Sequence, residues 1–169
     1  NSVKVLYVIL ILLALFIVLT LIRAIFFKAK PVKREVFEEE SVNSKRAQEH
    51  LCDAIRIKTI SHENEEETDW AEFDRFHEFL KKSFPLIYEN LSVEDISKAS
   101  LLYFWQGSDS SLDPIAFLAH QDVVPVSEGT EKDWVYPAFD GVNDGEFIWG
   151  RGALDMKNHL ICLLESVET

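Results

Sequence analysis

Residues Val5 to Ile22 read VLYVILILLALFIVLTLI, eighteen consecutive positions without a charge, and Ala24 to Phe27 prolong the run beyond Arg23. Hydrocarbon offers no hydrogen-bond partners, so a backbone placed there must satisfy itself as a helix, and about 20 apolar residues carry such a helix across. The core of a secretory signal is shorter, about 7 to 15 apolar residues, and ends at a small-residue cleavage site. Here bulky Ile25, Phe26 and Phe27 follow instead. The reading is a single transmembrane anchor over 1–30, a tether over 31–43 whose composition turns from basic to acidic, and a body over 44–169.

Charge separates these parts. The chain carries a net charge of -12, yet its first 34 residues hold six Lys and Arg and no acid, leaving eleven bases against twenty-nine acids in the rest. A body so acidic repels phosphate and excludes nucleic acid as a partner. The acidic runs Glu38 to Glu40 and HENEEETD (62–69) read as solvated surface. Cys52 and Cys162 are far apart, without a Cys-x-x-Cys or a Cys/His set, and each lies in an apolar-patterned helix, so both read as buried thiols.

Within the body, Ala47, Leu51, Ala54 and Ile55 recur at helical spacing, which predicts a helix from about Ser44 to near Thr59. Asp69 is placed to cap a second helix, whose stripe Trp70, Phe73, Phe76, Leu80 and Phe84 stops at Pro85. So bulky a stripe suggests packing against a sheet. Leu91 to Ile96, Ser100 to Trp105 and Pro114 to Ala119 read as strands, with a turn over Gly107 to Asp113. The predicted class is α/β, a mixed sheet flanked by helices.

The chemistry gathers between Ala119 and Lys157. The apolar run PIAFLA (114–119) suits a strand buried on both faces, and His120 and Asp122 stand where it runs out. Residues two apart in extended chain point the same way, so one side chain can bind a metal while the other orients it. Glu146 to Trp149 reads as a second strand, Gly150 and Gly152 permit a tight turn, and Asp155 stands just before a helix bearing Leu160, Leu163, Leu164 and Val167. Taken singly, such a His is more often a surface or core residue and such an Asp an N-cap. Their conjunction points to a metal site built from two strand ends.

The segments AHQDVVPV, WVYPAFDG and DGEFIWGRGALDMK, with WQGSDSSLDP upstream, resemble the co-catalytic zinc peptidases and amidohydrolases that include aminoacylase and carboxypeptidase S (Gly-Xaa carboxypeptidase), near the subgroup of the N-fatty-acyl-amino-acid synthase/hydrolase. The resemblance implies that His120 is a ligand of one zinc, Asp122 the catalytic Asp supporting it, and Asp155 the carboxylate bridging two zinc ions. It also implies a cis peptide after Asp155. Where the family commonly has Gly-Gly after the Lys, Asn158 and His159 stand here; Asn158 agrees with the subgroup, and His159 is read as a helix residue, not a ligand. In the family the general base is the first Glu of a downstream Glu-Glu pair; Glu165, without a Glu neighbour, does not fit that motif.

The resulting expectation is a zinc hydrolase of an amide bond next to a free amino-acid carboxylate, its substrate a peptide or an N-acyl amino acid. The alternative is a non-catalytic, membrane-anchored interaction module that keeps the scaffold. A serine or cysteine hydrolase is disfavoured, since no G-x-S-x-G is present. The resemblance further implies a smaller lid domain beyond these residues, through which a homodimer forms. Arg23, Lys28, Lys30, Lys33 and Arg34 outnumber Lys4, which by the positive-inside rule puts the body in the cytoplasm. The relatives pull the other way, and the adopted reading is a single-pass protein with its catalytic domain extracytoplasmic.

Overall fold

The computed structural model describes residues 2–28 and 42–169. Most of the tether read over 31–43 lies outside the described residues. The N-terminal unit contains helix α1, Ser2–Ile25. Its Leu, Ile and Ala content favours helix, no Gly or Pro interrupts it, and its side chains from Val3 onward are exposed. At 1.5 Å per residue its 24 residues extend about 36 Å, long enough and apolar enough to cross a hydrocarbon core.

The second unit is α/β. Helix α2, Ser44–Arg56, is capped by Asn43, whose side chain accepts from the Arg46 N–H at 3.1 Å. It ends at Arg56, earlier than the expected Thr59, because Ile57 is already extended and the residues after it pair elsewhere. Helix α3, Trp70–Ser83, is capped by Asp69 as predicted. Pro85 ends it, and in the same place opens the short helix α4, Pro85–Asn90, with proline in the first turn, where its missing N–H costs nothing. The N–H groups of Leu86 and Ile87, in the first turn of α4, are taken by the Glu168 carboxylate, each at 3.0 Å. Glu168 closes helix α5, Lys157–Glu168.

These helices make the core. Ala54, Phe76, Leu80, Phe84, Ile87, Ile161 and Leu164 are buried together, and Leu101 and Tyr103 pack at its edge. The aromatic stripe of α3 is therefore core, but it packs mainly against helices rather than a sheet. The reason is the second apolar face, supplied by Ile161 and Leu164 of α5. Glu165, from the same helix, is buried with its carboxylate accepting from Arg46 Nε and Nη2 at 2.8 and 2.6 Å and facing His50 Nδ1 at 2.6 Å. A carboxylate so occupied fastens α5 to α2 and has no reach toward other chemistry.

The strands form two antiparallel hairpins. Strand β1, Ser92–Ile96, pairs with β2, Ser100–Phe104, in the register Ser92 to Phe104 and Ile96 to Ser100. The shorter pair is β3, Val142–Asn143, with β4, Ile148–Trp149. A parallel bridge joins Ile60 to Val123. Two expectations need correction. Pro114 to Ala119 is not a strand: Ile115, Phe117 and Leu118 are exposed, and among the described residues no main-chain hydrogen bond reaches 114–119. A strand exists only when a neighbour takes its N–H and C=O groups, and apolar content supplies none. Cys162 lies on the outer side of α5 and is exposed, whereas Cys52 is buried as expected.

Candidate metal centre

The site begins where α2 stops. Ile57, Thr59 and Ile60 are β-branched and favour extended backbone, and the segment 59–61 brackets Val123: the Val123 N–H donates to Thr59 O at 2.8 Å and the Ser61 N–H to Val123 O at 3.1 Å. Thr59 Oγ1 donates to Gln121 O at 2.6 Å, and Ser61 Oγ to Asp122 Oδ2 at 2.5 Å. The His-x-Asp segment is thus held from behind by a short polar ladder. Buried Val123 anchors it to the core.

Asp155 arrives from the other side on a glycine turn. Gly152 has φ +87°, a conformation L side chains avoid, and a Cβ there would stand 2.7 Å from Val123 Cγ1. The absence of a side chain lets the turn lie on the residue next to Asp122. The Asp155–Met156 peptide is cis, as the resemblance implies. Met156, not Asp155, is the residue flanking α5, and Asp155 does not serve as its cap.

The three residues picked out from sequence meet. His120 Nε2 is 3.0 Å from Asp155 Oδ1, and His120 Nδ1 is 3.0 Å from Asp122 O and 3.2 Å from Asp122 Oδ1. The imidazole therefore faces only acceptors on both sides, yet a neutral ring carries one N–H. Partial burial pulls the His120 pKa down, but the hydrogen bonds to Asp155 and Asp122 and the charges of both carboxylates outweigh it and hold the value above the ordinary one. A cation between Nε2 and Asp155 meets the same need as the second proton. Two ligands of one tetrahedral zinc, each about 2.0 to 2.2 Å from the metal, would stand roughly 3.3 to 3.6 Å apart, and the observed 3.0 Å would reach that range with a small opening. Asp155 is 87% exposed and His120 47%, so the pair is open to further ligands. Among the described residues no three His, Cys, Asp or Glu side chains are placed to hold one metal ion together.

Residues 116–169 match the family described as Peptidase family M20/M25/M40. The chain is 41% identical over 127 residues to carboxypeptidase S of Saccharomyces cerevisiae, an alignment covering 71% of this chain and 22% of the yeast protein. It is 39% identical over 142 residues to the N-fatty-acyl-amino acid synthase/hydrolase of Mus musculus, covering 83% of this chain and 27% of that protein. With the probable carboxypeptidase S-like 2 of Dictyostelium discoideum the identity is 37% over 160 residues, 90% of this chain and 30% of the relative. Over residues 116–169 the chain is similar to the M20/M25/M40 peptidase family, and the alignments to these relatives extend the likeness upstream. The chain spans less than a third of the length of these relatives.

Sequence reasoning missed the residues behind the site. Thr59 reads as the tail of a helix, Ser61 falls beyond it, and Lys157 is the last letter of a motif. Lys157 is fully buried, and its Nζ donates to Ala54 O and Ile57 O, both at 2.7 Å. Loss of hydration lowers its pKa to about 7 against the opposing pull of the Glu72 and Asp122 carboxylates. The signal that could have found the ladder is the polar alternation of Thr59 and Ser61 around Ile60, a two-residue period at odds with a helix.

Proposed function

We propose that this chain supplies part of the metal centre of a membrane-tethered zinc amidohydrolase, which cleaves an amide bond beside a free amino-acid carboxylate. The observation that carries the reading is the His120 imidazole, held between acceptors on both ring nitrogens. His120 Nε2 and an Asp155 oxygen would hold metal, Asp155 as the carboxylate shared by the zinc pair, while the Asp122 main-chain carbonyl accepts from Nδ1, with the Asp122 carboxylate 3.2 Å away, and so fixes the tautomer that leaves Nε2 free to ligate. When bound, a zinc pair supplies polarisation of the scissile carbonyl and a water acidic enough to attack at neutral pH. The names of the relatives provide two substrate classes, C-terminal peptide bonds and N-fatty-acyl amino acids. Both are amides adjoining a carboxylate, and one metal centre serves either. Helix α1 tethers the enzyme as a single-pass anchor, with the body extracytoplasmic.

The test is to assay the complete protein on a Gly-Xaa dipeptide and on an N-fatty-acyl amino acid, with bound zinc measured in parallel for wild type, His120→Ala and Asp155→Ala. Loss of zinc and of hydrolysis together in both variants supports the reading. Undiminished turnover in either variant overturns it, and folded wild type that binds no zinc and turns over neither substrate favours an interaction module instead.

A further inference from the structure

Asp122 has two carboxylate oxygens and two different neighbours. Oδ1 lies 3.2 Å from His120 Nδ1, and Oδ2 accepts the Ser61 hydroxyl at 2.5 Å. The terminal torsion of an Asp side chain has broad wells, so a carboxylate with only one fixed neighbour swings readily, and Asp122 is 40% exposed on the open side of the site. We propose that Ser61 is a positioning residue for the metal centre, its hydroxyl pinning one oxygen of Asp122 so that the other stays turned to His120. The inference rests on the proposed zinc site.

What makes Ser61 suited to the task is its own rigidity. Its N–H is fixed on Val123 O, and two residues away Thr59 receives the Val123 N–H and donates its hydroxyl to Gln121 O. Further back, the buried Lys157 ammonium holds the carbonyls of Ala54 and Ile57. The hydroxyl has a single proton to give, and Asp122 is its acceptor. A short O–H donation to a carboxylate is among the stronger kinds of hydrogen bond, and it holds Asp122 without drawing the carboxylate away from the imidazole. The order is Ser61 to Asp122 to His120 to metal, with each group orienting the next.

The experiment uses the complete protein, with zinc affinity measured by competition against a chromophoric chelator and kcat and KM measured on the better of the two substrates. Ser61→Ala is expected to weaken zinc binding by about tenfold, the low end of losses for groups behind a ligand, and to lower kcat with little change in KM. Ser61→Thr keeps the hydroxyl and is expected to restore affinity. In an Asp122→Asn background, Ser61→Ala is expected to add nothing, because its route to the metal is already cut. Wild-type affinity in a folded Ser61→Ala protein overturns the proposal, as do a folded Ser61→Thr that fails to restore it and an additive loss in the Asp122→Asn background. If Ser61→Ala does not fold, Ser61→Thr and Ser61→Cys decide: affinity kept by Thr and lost with Cys, a weaker donor of similar size, supports pinning, and equal affinities overturn it. His120→Ala keeps the two questions apart, since zinc binding that survives it removes the metal reading itself, whereas zinc lost there but kept in Ser61→Ala removes only the role of Ser61.

Discussion

The two sides of the site are built differently. His120 and Asp122 sit on a segment that the 59–61 ladder grips through the backbone of Val123, the carbonyl of Gln121 and the carboxylate of Asp122. Asp155 stands on a turn with its side chain almost wholly exposed, its described polar contact being His120 itself. One side is oriented before any ligand arrives, while the other is positioned by its backbone and by what it binds. Preorganisation of this kind puts the cost of ordering into folding rather than into metal binding.

The largest effect expected from breaking this comparison is at the exposed side. On the proposed reading Asp155 bridges both metals, so Asp155→Ala in the complete protein should abolish hydrolysis and reduce bound zinc toward none, with fold stability almost unchanged because the side chain touches so little. Metal analysis beside thermal melting checks both halves. His120→Ala should remove a ligand of one zinc only. A substantial loss of stability in Asp155→Ala would show that the two sides are not as different as their exposure indicates.

At the gripped side a milder loss is expected. Asp122→Asn keeps the shape of the side chain and the main-chain carbonyl that accepts from His120 Nδ1 at 3.0 Å, but removes the carboxylate charge 3.2 Å from that nitrogen. Metal affinity or kcat should fall about 10- to 100-fold, the usual range for a group behind a ligand. Titration of the apo protein with zinc measures it. An effect as large as that of Asp155→Ala would mean that Asp122 does more than orient His120.

The same contrast explains how much was legible in the sequence. His120 and Asp122 are two residues apart and the period of extended chain places them together; the helices announce themselves through Ala47, Leu51 and Ala54 and through Phe73, Phe76 and Leu80, because each period is set locally. Ser61 and Asp122 are joined only by the fold, across 61 positions, and nothing near Ser61 names its partner. Pro114 to Ala119 fails for a related reason: the apolar run has strand composition, but a strand depends on a neighbour contributed from elsewhere. Pro85 was legible as a stop, while its second use, as the first residue of α4, depends on Glu168 arriving from the end of α5.

A smaller effect tests the seam between the two sides. Gly152→Ala puts a side chain at φ +87° with its Cβ 2.7 Å from Val123 Cγ1. Strain and overpacking together should cost about 2 kcal/mol. Chemical denaturation of the variant measures the loss. Because Val123 is the next residue after Asp122, zinc affinity should fall as well if the turn and the ladder act as one unit. Unchanged affinity in the destabilised variant would show that the seam holds the fold and not the site.

A pH-dependent effect concerns Lys157, which belongs to both sides: it stands two residues beyond Asp155, and its ammonium binds the carbonyl of Ile57, where the ladder starts. Burial lowers its folded pKa to about 7 from the ordinary 10.5. The unfolded chain therefore binds the extra proton between about pH 7 and 10.5, and stability should rise with pH across that window and fall as pH drops toward 7, with little further change below it. One proton sets a ceiling of about 1.4 kcal/mol per pH unit. Urea unfolding of the apo protein between pH 6 and 9 measures the slope, and Lys157→Met should remove this part of it whatever the variant costs in absolute stability. An unaltered slope in Lys157→Met would mean that the two carbonyls keep the ammonium charged in the folded protein, and that the link between the two sides is a permanent cation.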